Sequence, residues 1–162
     1  MTIDLAKEAR NKGIDYFLIS FVDLFGVMRA KLVPAAAIDD MARDGAGFAG
    51  FAAWLDMTPA DSDMFAVPDP SSLIQLPWRP NVGWLAADLH MDGKEVEHAP
   101  RNALKRVLKG AAEKGYRLKH GVECEYFLIT PEGDGLADAS DRQSKPCYDV
   151  AALMRRYDVI SE

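Results

Sequence analysis

Short apolar runs separated by turn-forming residues dominate the first part of the chain, and two helical apolar stripes flank a long polar stretch in the rest. Leu5 to Asn11 has the spacing of a short helix that Gly13 closes. Tyr16 to Val22 is a run of apolar and aromatic residues expected to form a strand. Asp23-Leu24-Phe25-Gly26 follows as a turn, and Val27 to Val33 reads as the returning strand, with Arg29 and Lys31 alternating with Met28, Ala30 and Leu32. Pro34, which has no N–H to donate, ends that pairing. Residues 35–43 predict a short helix stopped at Asp44-Gly45. Two further short strands are expected at Leu73 to Leu76 and Gly83 to Asp88. Residues 14–97 thus read as an α+β unit.

Pro100 opens a helix in which Leu104, Val107, Leu108 and Ala111 form an i, i+3, i+4, i+7 stripe, and Gly115 closes it. Gly121 to Ile129 predicts a strand whose Val122, Cys124, Tyr126 and Leu128 share one face. The period of two then sends Glu123 and Glu125 together to the other. The polar stretch from Pro131 to Lys145 is expected to be a long loop. Val150, Leu153, Met154, Tyr157 and Ile160 form a last helical stripe that is still running at Glu162, which predicts a polypeptide continuing beyond it.

Composition narrows the class without choosing the function. The 162 residues are 49% hydrophobic and 27% charged, a balance expected of a globular protein with a sizeable core. The net charge of −6 comes with no Lys/Arg-rich cluster, which argues against nucleic acid or an anionic membrane as the main partner. The two cysteines, Cys124 and Cys147, have no Cys or His at zinc-ligand spacing and are expected to be free thiols. With no signal sequence at the N-terminus and no run of membrane-spanning length, the cytoplasm is the expected compartment.

Two stretches carry candidate chemistry. Glu123 and Glu125 on one strand face are either a solvated surface or a pair held by a cation, since burying unpaired carboxylates is prohibitively costly. Magnesium and manganese suit the second reading, because they take oxygen ligands and need only one or two carboxylates beside substrate phosphates and water. The other stretch is Gly45 to Trp54, rich in small residues and aromatics without a clean period. It is either a packed loop whose Phe48, Phe51 and Trp54 fill a core, or a lip over a ligand or subunit contact.

Gly-Val-Glu-Cys-Glu-Tyr-Phe-Leu-Ile at 121–129 resembles the glutamate-rich strand of the glutamine synthetase superfamily. In order along the chain, Asp23 to Pro34 resembles that family's early hairpin, Ser62-Asp63-Met64 with Val67-Pro68-Asp69 its central stretch, and His98-Ala99-Pro100-Arg101 the entry to the helix before the metal strand. The resemblance implies an α+β chain: an N-terminal β-grasp domain over residues 1–97, then the beginning of an α/β catalytic domain over residues 98–162, incomplete. It implies an ATP-dependent ligase that joins ammonia, methylamine or another amine to the γ-carboxylate of glutamate through γ-glutamyl phosphate. Glu123 and Glu125 match the family's metal-binding glutamates, for Mg²⁺ or Mn²⁺, with ATP as co-substrate. Homo-oligomers built as double rings are implied for the full-length protein.

One departure bears on the amine. Glutamine-forming members have Phe-Asp-Gly-Ser-Ser where this chain has Phe48-Ala49-Gly50-Phe51-Ala52, so Ala49 replaces the acid that helps bind ammonium. The type III-like glutamine synthetases and γ-glutamylmethylamide synthetases become the expected branch. Asp56, a few residues later, is the alternative acid for that role, which spacing alone leaves open. The family's later strands, its histidine-bearing glycine motif and its phosphate-binding arginines have no counterpart here, so these residues alone are expected to be inactive and the catalytic residues stay unassigned. The rival reading is a stand-alone β-grasp binding or regulatory module, for which Glu123 and Glu125 would be a solvated face.

Overall fold

The computed structural model describes residues 3–53, 57–123, 125–138, 140, 142, 144 and 148–161. The chain divides into two compact units, Met1–Leu118 and Lys119–Glu162.

The first unit opens with helix α1 (Leu5–Lys12), capped by the Asp4 carboxylate at its start and by Gly13 at its end, where φ is 67°. That left-handed conformation suits glycine, which has no Cβ to clash. Strands β1 (Tyr16–Val22) and β2 (Met28–Pro34) form the expected antiparallel hairpin. A 3₁₀ turn at Ala35–Ala37 leads into α2 (Ile38–Asp44). Then follow β3 (Ala46–Phe48), a 3₁₀ turn at Gly50–Ala53, β4 (Met64–Pro68), β5 (Ile74–Gln75), β6 (Val82–Met91), β7 (Lys94–Glu95) and α3 (Pro100–Glu113).

Strand β6 is the spine of the seven-stranded sheet, whose main order is β2-β1-β6-β4-β3. Its first half runs parallel to β1, and its second half runs antiparallel to β4. One ten-residue strand thereby joins two ladders. Gly83 permits this at the point where β6 passes β1, because a Cβ there would lie 2.9 Å from the Phe17 ring. The inner face carries Phe17, Ile19, Met64, Leu85 and Leu89, which meet Leu5 and Ala9 of α1 and Ile38 of α2 in one core. Each fully buried large apolar side chain of this kind contributes ~1.5–3 kcal/mol relative to exposure.

The opposite face is also apolar, yet open. Residues directly paired across strands point to the same side, so Leu32 and Met28 of β2 share a surface with Leu18 and Val22 of β1, and Trp84 of β6 with Ile74 of β5. Met28, Leu32 and Ile74 are all more than half exposed. The edge strand β2 therefore turns its apolar residues outward and its charged ones, Arg29 and Lys31, toward the side of Phe21 and Ile19. Inward charges on an edge strand are a known guard against edge-to-edge pairing.

Helix α3 has the expected span, but its apolar stripe does not enter the core: Leu104, Val107 and Leu108 are exposed. The buried residue is Asn102, whose amide group donates to the carbonyls of Leu89 (2.7 Å) and Val96 (3.2 Å) and whose oxygen accepts from Leu89 N–H (3.3 Å). The first turn is thus tied down by polar contacts, leaving the apolar stripe outside.

In the second unit the expected strand over 121–129 is not formed among the described residues. Val122 and Phe127, of opposite parity, are both exposed, and the nearest β pairing is one bridge between Ile129 and Leu136. A strand exists through hydrogen bonds to neighbours, and here the described residues supply them only at the end of the segment, where the Ala137 amide donates to the Leu128 carbonyl (2.9 Å) beside the Ile129–Leu136 bridge. Helix α4 (Val150–Arg155) starts on the Asp149 carboxylate, and the expected single helix is interrupted at Arg156 before α5 (Tyr157–Ser161). No helix among the described residues is long and apolar enough to cross a membrane.

Candidate functional site

The early hairpin is organised by one carboxylate. Asp23 ends β1 with its side chain fully buried, and its Oδ1 accepts from the amides of Phe25 and Val27, both at 2.9 Å. Its Oδ2 takes Nε and Nη2 of Arg29, each at 2.9 Å. Burial pushes this carboxyl up, but the two amides and the guanidinium outweigh it and hold it below the ordinary carboxylate range. The Asx-type turn exposes Leu24, Phe25 and Val27 at its tip.

Beside this turn lies an open cleft of about 260 Å³ lined by Phe21, Arg29, Ala30, Lys31, Phe48, Ala49 and Ala52. It contains part of the stretch expected to be the amine-side loop. Phe48, Ala49, Gly50 and Phe51 are brought to the end of the hairpin by β3, whose Phe48 pairs with Met64 of β4. The Phe48 ring meets the Phe21 ring edge to face, with centroids 5.0 Å apart and planes at 89°. Lys31 Nζ stands 5.2 Å from the centroid of the same ring. Gly50 is buried where a Cβ would overlap the Met57 sulfur, while Phe51 is half exposed. Phe48 packs against the core, as in the packed-loop reading, while Phe51 is half exposed. Asp56 and Trp54 lie outside the described residues.

Two other motifs meet in space. Arg101, in the first turn of α3, spans Asp69 through Nη2 and Asp88 through Nε, the latter at 2.9 Å, and Lys105 also pairs with Asp88. The Val67-Pro68-Asp69 and His98-Ala99-Pro100-Arg101 segments are therefore joined by an ion pair. The Ser71 hydroxyl, with the Ser71 amide, Arg101 and Lys105, lowers the Asp69 carboxyl against the cost of its partial burial. Neither this network nor the Lys31–Phe48 contact was expected from the sequence. The only advance signal for the second is the alternation that puts Arg29 and Lys31 on one side of β2.

Glu123 and Glu125 are exposed in the second unit, with Cys124 between them outside the described residues. Among the described residues no group of three or more His, Cys, Asp or Glu is poised around a metal position. Two accessible carboxylates do fit a hard cation that retains several waters, since such ions need few protein ligands.

No family model matches the chain. It is 62% identical over all 162 residues to a glutamine synthetase of Rhizobium leguminosarum bv. phaseoli, covering 37% of that protein. Over 150 residues it is 42% identical to a glutamate–methylamine ligase of Methyloversatilis universalis, covering 90% of this chain and 34% of that one. Among solved structures, one described as a GmaS/ADP complex is 68% identical with a TM-score of 0.94, over 99% of this chain and 37% of that one. An apo GmaS structure without ligand superposes with a TM-score of 0.93. The chain thus spans about 37% of the length of the first of these relatives. Its sequence and its fold together place it in the glutamine synthetase superfamily, where it corresponds to the N-terminal portion.

Proposed function

We propose that the chain is the N-terminal part of an ATP-dependent glutamate–amine ligase, with residues 1–97 as a β-grasp domain and residues 98–162 as the start of the catalytic domain. The observation that carries this is the 68% identity with GmaS at a TM-score of 0.94, which extends over nearly the whole chain. In the proposed reaction the γ-phosphoryl group of ATP passes to the side-chain carboxylate of glutamate. The amine nitrogen then attacks the acyl carbon, loses a proton, and phosphate departs. Glu123 and Glu125 are the residues that would hold Mg²⁺ or Mn²⁺, which neutralises phosphate charge when bound.

The amine enters at the Phe48–Phe51 loop. Ala49 borders the cleft with a methyl group where an acid would attract ammonium, so methylamine or another small alkylamine is the favoured substrate over ammonia. The open apolar face of β1, β2, β5 and β6 is the surface that docks on a neighbouring subunit, consistent with a ring-shaped oligomer. The cytoplasm is the compartment where ATP and glutamate are both supplied.

The full-length protein is expected to release ADP and a γ-glutamyl amide when given ATP, Mg²⁺, glutamate and methylamine. Glu123→Gln and Glu125→Gln should each weaken Mn²⁺ binding and suppress turnover. Absence of any ATP-dependent amide, or metal affinity indifferent to both substitutions, would sink this reading.

A further inference from the structure

We propose that Lys31 is a specificity-determining residue of the cleft, one that disfavours protonated amines at the Phe48–Phe51 loop. The inference rests on the reading of that loop as the amine side. Three observations converge on it. Lys31 lies on the same side of the edge strand as Arg29, the side of Phe21 and Ile19, and is exposed there at the mouth of the cleft. Its ammonium occupies the face of Phe48, 5.2 Å from the centroid, while Phe21 takes the ring edgewise. A substrate cation therefore finds the face of Phe48, beside Ala49, already occupied. Finally, the described residues lining the cleft include two cations, Arg29 and Lys31, and no carboxylate.

The charges around the position can be assigned strand by strand. β2 contributes Arg29 and Lys31, and the end of β1 contributes Asp23, whose oxygens are engaged by Arg29 and by the turn amides. β3 and the described residues of the 3₁₀ turn contribute none. Arg29 is compensated by its carboxylate, whereas among the described residues Lys31 meets the aromatic quadrupole of Phe48. Among the described residues the uncompensated charge beside Ala49 is therefore positive, which disfavours an ammonium or alkylammonium ion and favours the free base. A neutral nucleophile is also what attack on an acyl phosphate requires, so this selection favours the reactive form.

The test uses the full-length protein with Lys31→Met and Lys31→Glu, both at an exposed position where folding is expected to survive. At neutral pH the KM for methylammonium should fall about tenfold in Lys31→Glu and less in Lys31→Met, with the KM values for glutamate and ATP held. An unchanged amine KM, or equal movement of all three constants, overturns the proposal. A second arm needs no turnover: the Ala49 methyl resonance is followed while methylammonium chloride is added. The unsubstituted protein should show no saturable shift, and Lys31→Glu should gain one. If the two behave alike, Lys31 does not control the cleft. A full-length protein that makes no amide from any amine removes the ligase reading, and the resonance titration still decides the role of Lys31.

Discussion

Arg29 closes the β1–β2 hairpin by placing both Nε and Nη2 at 2.9 Å from one oxygen of the fully buried Asp23 carboxylate. The other oxygen holds the two turn amides, so one side chain sets the turn, the strand register and the inward aim of Arg29. Because a buried acceptor set of this kind has no water to replace it, Asp23→Ala is expected to lower the melting temperature by several degrees. It should also perturb the cleft residues Arg29 and Lys31. Asp23→Asn keeps an oxygen for the amides but loses the charge that Arg29 needs, and should fall between the two. Thermal unfolding of the three proteins, followed by circular dichroism, checks the order.

Asn102 supports a second prediction. Its amide satisfies the N–H and C=O of Leu89 and the C=O of Val96, buried groups that lose their partner when the side chain is truncated. Asn102→Ala should cost roughly 1–3 kcal/mol. Asn102→Asp should be worse, because a carboxylate would face two carbonyl oxygens where an NH₂ donated. Urea midpoints at constant m-value measure both.

Acid should expose the depressed carboxylates. Asp69, lowered chiefly by the Ser71 hydroxyl, and Asp138, held to about 2 by the Ser140 hydroxyl and Arg155, are ionised in the folded protein below the pH at which they protonate when unfolded. The unfolded chain then binds more protons, so stability rises with pH in that window. These contributions are complete above the ordinary carboxylate value of about 3.9 and are lost as pH falls through the folded values. Asp69→Asn should therefore melt lower than the unsubstituted protein near neutrality, and the two curves should converge on acidification.

What could be read from the sequence was local. β1, the hairpin turn, the Gly13 cap and the Pro100 start of α3 follow from period, turn chemistry and capping, all contained within a few residues. β3 and β4 were missed, because Ala46-Gly47-Phe48 has little strand propensity and Met64–Pro68 is short and ends in proline. Both exist by pairing outward from β6, residues distant in sequence. The same distance hid the Asp69–Arg101 ion pair and the seat of Lys31 on Phe48. The strand assigned to 121–129 shows the converse. Its alternation is clear, but alternation only prepares a strand, and neighbours must complete it. Glu123 and Glu125 remain candidates on chemistry, from the part of the segment ahead of the Ile129–Leu136 bridge, for which the described residues supply no strand partner.

For that reason the 162 residues by themselves are expected to produce no amide. Mn²⁺ at millimolar concentration should leave their melting temperature nearly unchanged, since two exposed carboxylates on an unpaired segment bind a divalent ion only weakly. A metal-induced rise of several degrees, or ADP release coupled to amide formation, would show that the site is complete without further chain.

The outer sheet face yields the last prediction. Leu18, Leu32, Trp84 and Ile74 form a continuous row across four strands, linked by the pairings Leu32 with Leu18, Leu18 with Trp84, and Trp84 with Ile74. Leu32 and Ile74, at its two ends, are 57% and 53% exposed, although nothing in the hairpin's own stability requires large apolar groups there. Such a row is costly to leave in water and is favourable at a subunit contact. Leu32→Glu in the full-length protein should therefore shift sedimentation toward smaller species. The same substitution should change the melting temperature of the 162-residue chain by only a degree or two, because its side chain already meets solvent in that unit. An association state indifferent to Leu32→Glu would mean that the row is covered by some other surface, and that the hairpin is not a subunit contact.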